Sequence, residues 1–150
     1  MRVVVQKVKN ASVIVNKNIV GKINNGLLLL VGYEHEDTEN DIFWITQKVI
    51  NMRIFNDNSQ KMNLSLMDTD GDILLISQFT LHASTKKGNR PSFLGSAKPD
   101  KAKRLYQKTI KEFEKSIQKT IQTGVFGAMM NVSLTNDGPV TIILDSKNKE

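Results

Sequence analysis

Cysteine is absent from this sequence of 150 residues. That excludes disulfides, thiolate nucleophiles and cysteine-based zinc sites, and it is compatible with a reducing, cytoplasmic home. Histidine is nearly absent too. His35 and His82 are the only two, and neither has a metal-ligand partner at useful spacing. The longest apolar run, residues 26–31, is far short of the ~20 residues that a membrane-spanning helix needs. The first ten residues, MRVVVQKVKN, lack the apolar core and small-residue cleavage site of a secretory signal. The expectation is a cytoplasmic protein without metal, cofactor or membrane contact. Internal repeats, low-complexity segments and linkers are also missing, so the chain reads as one domain, 1–150, with a frayed tail from about residue 146.

What is present is enough to build a core, since a chain of this size buries about two-thirds of its unfolded surface. Net charge is +6, which suits a polyanion partner, although a lysine-rich composition alone produces the same excess. Residues 2–33 are strand-like, with a turn signal at Asn16-Lys17-Asn18 and a run at 26–32 that is apolar on both faces. Thr38 with Asp41 approximates a capping box, and Ile42, Ile45, Val49 and Met52 then follow at helical spacing. Residues 73–81 read as a strand, 84–100 as a long loop. Pro99-Asp100 suits a first helical turn, and Ala102, Tyr106, Ile110, Phe113 and Ile117 form an apolar stripe behind it. Strands resume near Gly124 and end at Leu144. This order predicts an α+β domain: a largely antiparallel, barrel-like sheet with two main helices.

Several stretches invite chemistry. Asp68-Thr69-Asp70-Gly71-Asp72 lacks the glycine and glutamate positions of a calcium loop and reads as a hairpin turn. On a strand, Thr80 and His82 would share a face as nucleophile and base, but no third orienting group is visible. TGVFGAMM is not followed by the Gly-Lys-Ser/Thr of a phosphate loop. Ser77, Gln78 and Thr80 place polar groups at the end of a buried strand. They mark either a site or an edge strand with a wet face. Lys86, Lys87 and Arg90 lie near Phe93, a mixture suited to RNA phosphates and bases. NDGPVT (136–141) puts Gly-Pro at the mouth of the last strand, where proline cannot donate a ladder hydrogen bond.

Taken in order, GLLLLVG (26–32), RIFND (53–57), KMNLS (61–65), SQFTL (77–81), NRPSF (89–93), QTGVFGAMMNVSL (122–134) and NDGPVT (136–141) span nearly the whole chain. With these motifs the sequence resembles the D-aminoacyl-tRNA deacylases of the bacterial and eukaryotic type. The resemblance implies an editing hydrolase that cleaves the ester of D-aminoacyl-tRNA, and of glycyl-tRNA mischarged on alanine tRNA. It implies a homodimer with active sites at the subunit interface and no DNA partner. It assigns Ser77, Gln78, Phe79 and Thr80 to the catalytic pocket, and Gly138-Pro139, as a cis peptide reaching into the partner's site, to rejection of L-residues. Met130, Asn136 and Asp137 become supporting residues. Lys86, Lys87, Arg90 and Phe93 become tRNA contacts. Catalysis would be assisted by the tRNA's own ribose hydroxyl, with backbone N–H donors near Phe79 and Thr80. Two positions depart from the family pattern: Lys7 stands where arginine is frequent, and His82 where a small residue is frequent. The alternatives are a non-catalytic RNA-binding module, a structural dimer, and an editing activity toward a small L-residue.

Overall fold

A computed structural model of the chain describes residues 1–149. Strand β1 (Arg2–Val15) is the spine. It turns at Asn16 and Lys17, both at positive φ, into β2 (Asn18–Ile23), and β3 (Gly26–Gly32) then returns along its first half. Asparagine tolerates the left-handed region better than most residues, which is why this short turn works. Helix α1 (Glu39–Asn51) starts where the Asp41 carboxylate accepts from the Thr38 N–H at 2.8 Å and from its hydroxyl at 3.0 Å. Short strands β4 (Phe55–Asn56) and β5 (Met62–Leu64) pair with each other. A single turn, α2 (Leu66–Thr69), leads into β6 (Asp72–Ser77). After a 3-10 turn (Phe79–His82) and a loop come α3 (Pro99–Ile117), β7 (Gln122–Thr123) and the long β8 (Asn131–Asp145).

The main sheet runs β2-β1-β3-β6-β7, with β8 on the other side of β1. It is mixed: β1 pairs antiparallel with β2, β3 and β8, whereas β3–β6 and β6–β7 are parallel. The sheet nearly closes. A Cβ on Gly21 of β2 would lie 2.7 Å from the carbonyl oxygen of Thr123 in β7, a separation that a side chain cannot share. Gly26 is tighter still, with the Asp72 carbonyl 2.0 Å from where its Cβ would stand.

Side chains alternate across a strand, and here both faces are filled. Leu27, Leu29, Val31, Ile73 and Leu75 join the larger core beneath α1 and α3, while Leu28, Leu74 and Ile76 join a second cluster with Val8, Ala11 and Val13. Two-sided burial explains why these strands are apolar runs. Burial also holds the phenols of Tyr33 and Tyr106 protonated, pushing both far above the usual tyrosine range. Tyr106 donates to the Leu75 carbonyl at 2.7 Å.

The structure departs from expectation at three places. Residues 66–70 form a helical turn capped by Ser65 and Asp68, with Asp70 left-handed, where a hairpin turn was expected. The next strand is parallel to β3, so the chain must cross over, and a tight hairpin cannot do that. The strand expected over 73–81 stops at Ser77. The tail is held at its start: the Ser146 N–H donates to the Met1 carbonyl at 2.9 Å, and the Ser146 hydroxyl donates to Asp41 at 2.7 Å.

Asp41 is the hub of that anchor. Burial alone would raise its pKa, but bonds from Lys147 (2.9 Å), Ser146 and Thr38 outweigh burial and hold it well below the carboxylate range. Because the folded value lies below the unfolded one, Asp41 stabilises the fold above pH ~4 and this contribution is lost as pH falls further. Asp41→Asn is expected to cost about 2 kcal/mol at pH 7 and to flatten the acid limb of a urea-stability profile between about pH 4 and pH 2. Part of the slope should remain, since the Asp145 carboxyl is also lowered: its bonds from Lys147 and Arg2 outweigh burial.

Candidate active site

Strand β6 carries its chain through the core and then stops. Residues 73–76 are buried, and Ser77 pairs with Val31 at the strand's end. One more sheet bond forms, from the Gln78 N–H to the Val31 carbonyl at 2.7 Å. The backbone then turns into the 3-10 segment Phe79–His82. Turns of this type bond three residues apart, so the N–H groups of Phe79 and Thr80 have no acceptor within the turn. Polar side chains at the strand's end thus mark an exit from the sheet, and neither the wet-edge reading nor the shared face for Thr80 and His82 survives.

At this exit lies a cavity of about 680 Å³. One wall is Ser77, Gln78 and Phe79. A second is Tyr33 just after β3, with Ser96, Ala97, Lys98, Pro99 and Ala102 from the loop and the start of α3. A third is Phe126, Gly127, Ala128, Met129 and Met130 from the segment between β7 and β8, and Phe93 closes the rim. Phe93 and Phe79 meet edge to face with centroids 5.0 Å apart, a favoured aromatic geometry. The Ser96 hydroxyl donates to the Phe79 carbonyl at 3.0 Å and ties two walls together.

Among the described residues, the wall bears no carboxylate, imidazole or thiol. Its titratable side chains are Lys98 and Tyr33. Thr109 donates to the Leu105 carbonyl, so the Tyr33 hydroxyl, 2.8 Å away, donates to Thr109. Thr80 does not line the cavity; its hydroxyl accepts from Gln78 Nε2 at 2.5 Å. Among the described residues no group of three or more acidic or histidine side chains is placed to hold a metal ion.

The basic loop is closed by Ser84 and Ser92, which exchange bonds of 2.7 and 2.9 Å. Lys86, Lys87 and Arg90 are exposed along it and do not line the cavity.

Gly138 and Pro139 sit elsewhere. The register of β8 against β1 passes from Gln6–Thr141 to Val8–Asn136 to Asn10–Thr135. Residues 137–140 therefore oppose Lys7 alone and stand out as a bulge within one strand, where the sequence suggested a turn between two. Its Gly138–Pro139 peptide is cis, and Gly138 has φ +125°, a region open to glycine. Both residues are exposed, and neither lines the cavity of its own chain. The base of the bulge is braced. Lys7, itself buried, reaches Asp137 at 3.2 Å, and the Thr141 hydroxyl bonds to Gln6. Asn136 is paired to Val8. Lys7, a departure from the family pattern, thus supplies a single charged brace without the fork of an arginine.

Of the residues the sequence reading assigned to the catalytic pocket, Ser77, Gln78 and Phe79 lie on the cavity wall and Thr80 does not; Phe93, expected as a tRNA contact, and Met130, expected as a supporting residue, line it as well. The sequence reading missed Tyr33, Ala97, Lys98 and the stretch 126–129. The signal available for the last was TGVFGAMM, whose small residues leave room for a cavity and whose Gly127 has φ +75°.

The chain matches the family described as "D-Tyr-tRNA(Tyr) deacylase" over residues 4–145. A relative named D-aminoacyl-tRNA deacylase from Flavobacterium johnsoniae is 57% identical over 150 residues, 100% of both chains. One of the same name from Thermosipho melanesiensis is 52% identical across 98% of each. A solved structure described as "c-Myc DNA Unwinding Element Binding Protein" superposes with a TM-score of 0.92 at 38% identity, covering 97% of this chain and 98% of that one. Another, described as a probable eukaryotic D-amino acid tRNA deacylase, has a TM-score of 0.83 at 17% identity, over 95% and 97%, and shares the fold. With residues 4–145 matched by the family model and a relative 57% identical over its whole length, the chain belongs to the D-Tyr-tRNA(Tyr) deacylase family.

Proposed function

We propose that this chain, a hydrolase of the ester in D-aminoacyl-tRNA by its family, works as a homodimer that selects by exclusion and borrows its catalytic hydroxyl from the RNA. The observation that carries the reading is the chemistry of the cavity wall. Ester hydrolysis needs an activated water and donors for the developing oxyanion. The Phe79 N–H on the wall, and that of Thr80 next to it in the chain, are the proposed donors, and among the described residues the wall carries no carboxylate, imidazole or thiol to serve as the base. The ribose hydroxyl beside the esterified oxygen fills that gap. Ser77, Gln78 and the aromatic rim then hold the terminal adenosine, and the protein contributes positioning.

The dimer is supported by β8. It pairs with β1 alone among the described residues, leaving fifteen residues of outer edge and exposed apolar side chains, Ile143 at 67%. Long open edges invite another strand or another chain. A second copy across β8 would carry the outward Gly138–Pro139 bulge toward the opposite cavity. Its rigid carbonyls would leave space for hydrogen on one side of the substrate α-carbon. D-residues and glycine present hydrogen there, and L-residues present a side chain. Selection of this kind rests on a clash with the wrong substrate.

Matched D-tyrosyl-, L-tyrosyl- and glycyl-tRNA, assayed at one enzyme concentration, test the reading. The D and glycyl esters should be lost at least about 100-fold faster than the L ester. Equal loss of D and L would remove the exclusion, and tRNA binding without turnover would favour an RNA-binding module. Thr80→Ala should keep kcat within about tenfold of wild type, whereas loss of an oxyanion donor costs about 100-fold or more. A near-total loss in a folded dimer would restore the threonine hydroxyl to the chemistry.

A further inference from the structure

Five cations on α3 lie in single file. Lys101, Arg104, Lys108, Lys111 and Lys115 recur at spacings of three, four, three and four, which on an α-helix is one face. The ridge is about 21 Å long at 1.5 Å per residue. The buried side of α3 is formed by Ala102, Leu105, Tyr106, Thr109 and Phe113. Local ion pairs do not consume the ridge. Lys108 pairs with Glu39 and Lys101 donates to the His35 carbonyl, but Arg104, Lys111 and Lys115 have no carboxylate partner among the described residues. Asp100, four residues before Arg104, and half-buried Glu112, four residues after Lys108, are the acids of α3 on its borders, and neither forms an ion pair with the ridge among the described residues.

The ridge begins at the cavity. Lys98, Pro99 and Ala102 line the cavity and flank Lys101 in sequence. Lys101 is tied to His35, whose Nε2 lies 3.0 Å from the carbonyl of Leu94, the neighbour of rim residue Phe93. A polyanion with its end in the cavity can therefore leave along a row of positive charge.

We propose that this face of α3 is the track for the phosphate backbone of the tRNA acceptor arm, distinct from the basic loop at 84–92. The inference rests on reading the cavity as the site of the aminoacylated terminal adenosine. It accounts for the alignment of the charges, which solvation alone does not require.

The test compares wild type, Arg104→Ala/Lys111→Ala/Lys115→Ala, and a charge-matched control, Lys9→Ala/Lys17→Ala/Lys22→Ala. The substrates are D-tyrosyl-tRNA and the D-tyrosyl ester of adenosine alone. The ridge variant should lose about tenfold or more in kcat/KM on tRNA at low salt, through KM, and its log–log salt slope should fall by up to about 2.7, from ~0.9 per phosphate contact. Between 50 and 200 mM salt that amounts to about 40-fold less loss than wild type shows. The adenosine ester should be cleaved as by wild type, and the control should keep the wild-type salt slope. An unchanged slope in the ridge variant, or an equal fall in the control, would overturn the track. Wild type that cleaves neither ester would overturn the reading of the cavity, and the track with it.

Discussion

Burial of β3 and β6 on both faces is the constraint from which the site follows. Residues 73–76 pack into two cores at once, so no polar side chain is tolerated until Ser77. Buried strands must satisfy their backbone groups in the ladder, and β6 does so through its parallel pairing with β3. When the apolar run ends, so does the ladder, one bond beyond Ser77. The chain turns at Phe79, which lines a cavity walled by the start of α3 and the segment between β7 and β8. On the proposed reading the oxyanion donors are backbone groups, which a fold holds more rigidly than a side chain, and this would suit a reaction whose activating hydroxyl belongs to the substrate.

The second element of the mechanism has a different origin. β1 is long enough to pair with β3 and β2 in turn on one side and with β8 on the other. Surplus residues in β8 cannot enter the register, so they leave the sheet opposite Lys7. The Lys7–Asp137 ion pair and the bond from the Thr141 hydroxyl to the Gln6 amide oxygen fix the base of that bulge, and Gly138–Pro139 stands at its exposed part. On the proposed reading, catalysis at the end of β6 and selection at the bulge within β8 would come together only across a second copy of the chain.

Much of this was legible in residue order. Thr38 and Asp41 announced the start of α1, Pro99 the start of α3, and the apolar run at 26–32 its two-sided burial. These signals are local, set by caps and by side-chain period. What was not legible depends on partners distant in sequence. Nothing within residues 66–72 reveals that β6 will lie parallel to β3, so the turn was read as a hairpin. SQFTL was strand-like by composition, and only the end of its ladder at Val31 makes the last four residues, with His82, leave the sheet. Ser146 was assigned to a loose tail because its partners, Met1 and Asp41, lie more than a hundred residues away. The wall at 126–130 was visible as small residues without a visible purpose.

The central claim is that Gly138–Pro139 of one subunit filters the cavity of the other. The most direct measurement uses a mixed dimer, with Ala128→Trp filling the cavity of one subunit and Gly138→Ala/Pro139→Ala in the other. Across-subunit action leaves one open cavity served by an intact bulge. About half the wild-type rate on D-tyrosyl-tRNA, with L-tyrosyl-tRNA still spared, is the predicted result. Action within a subunit leaves that open cavity with only the altered bulge, and loss of the L-ester alongside the D-ester would contradict the account.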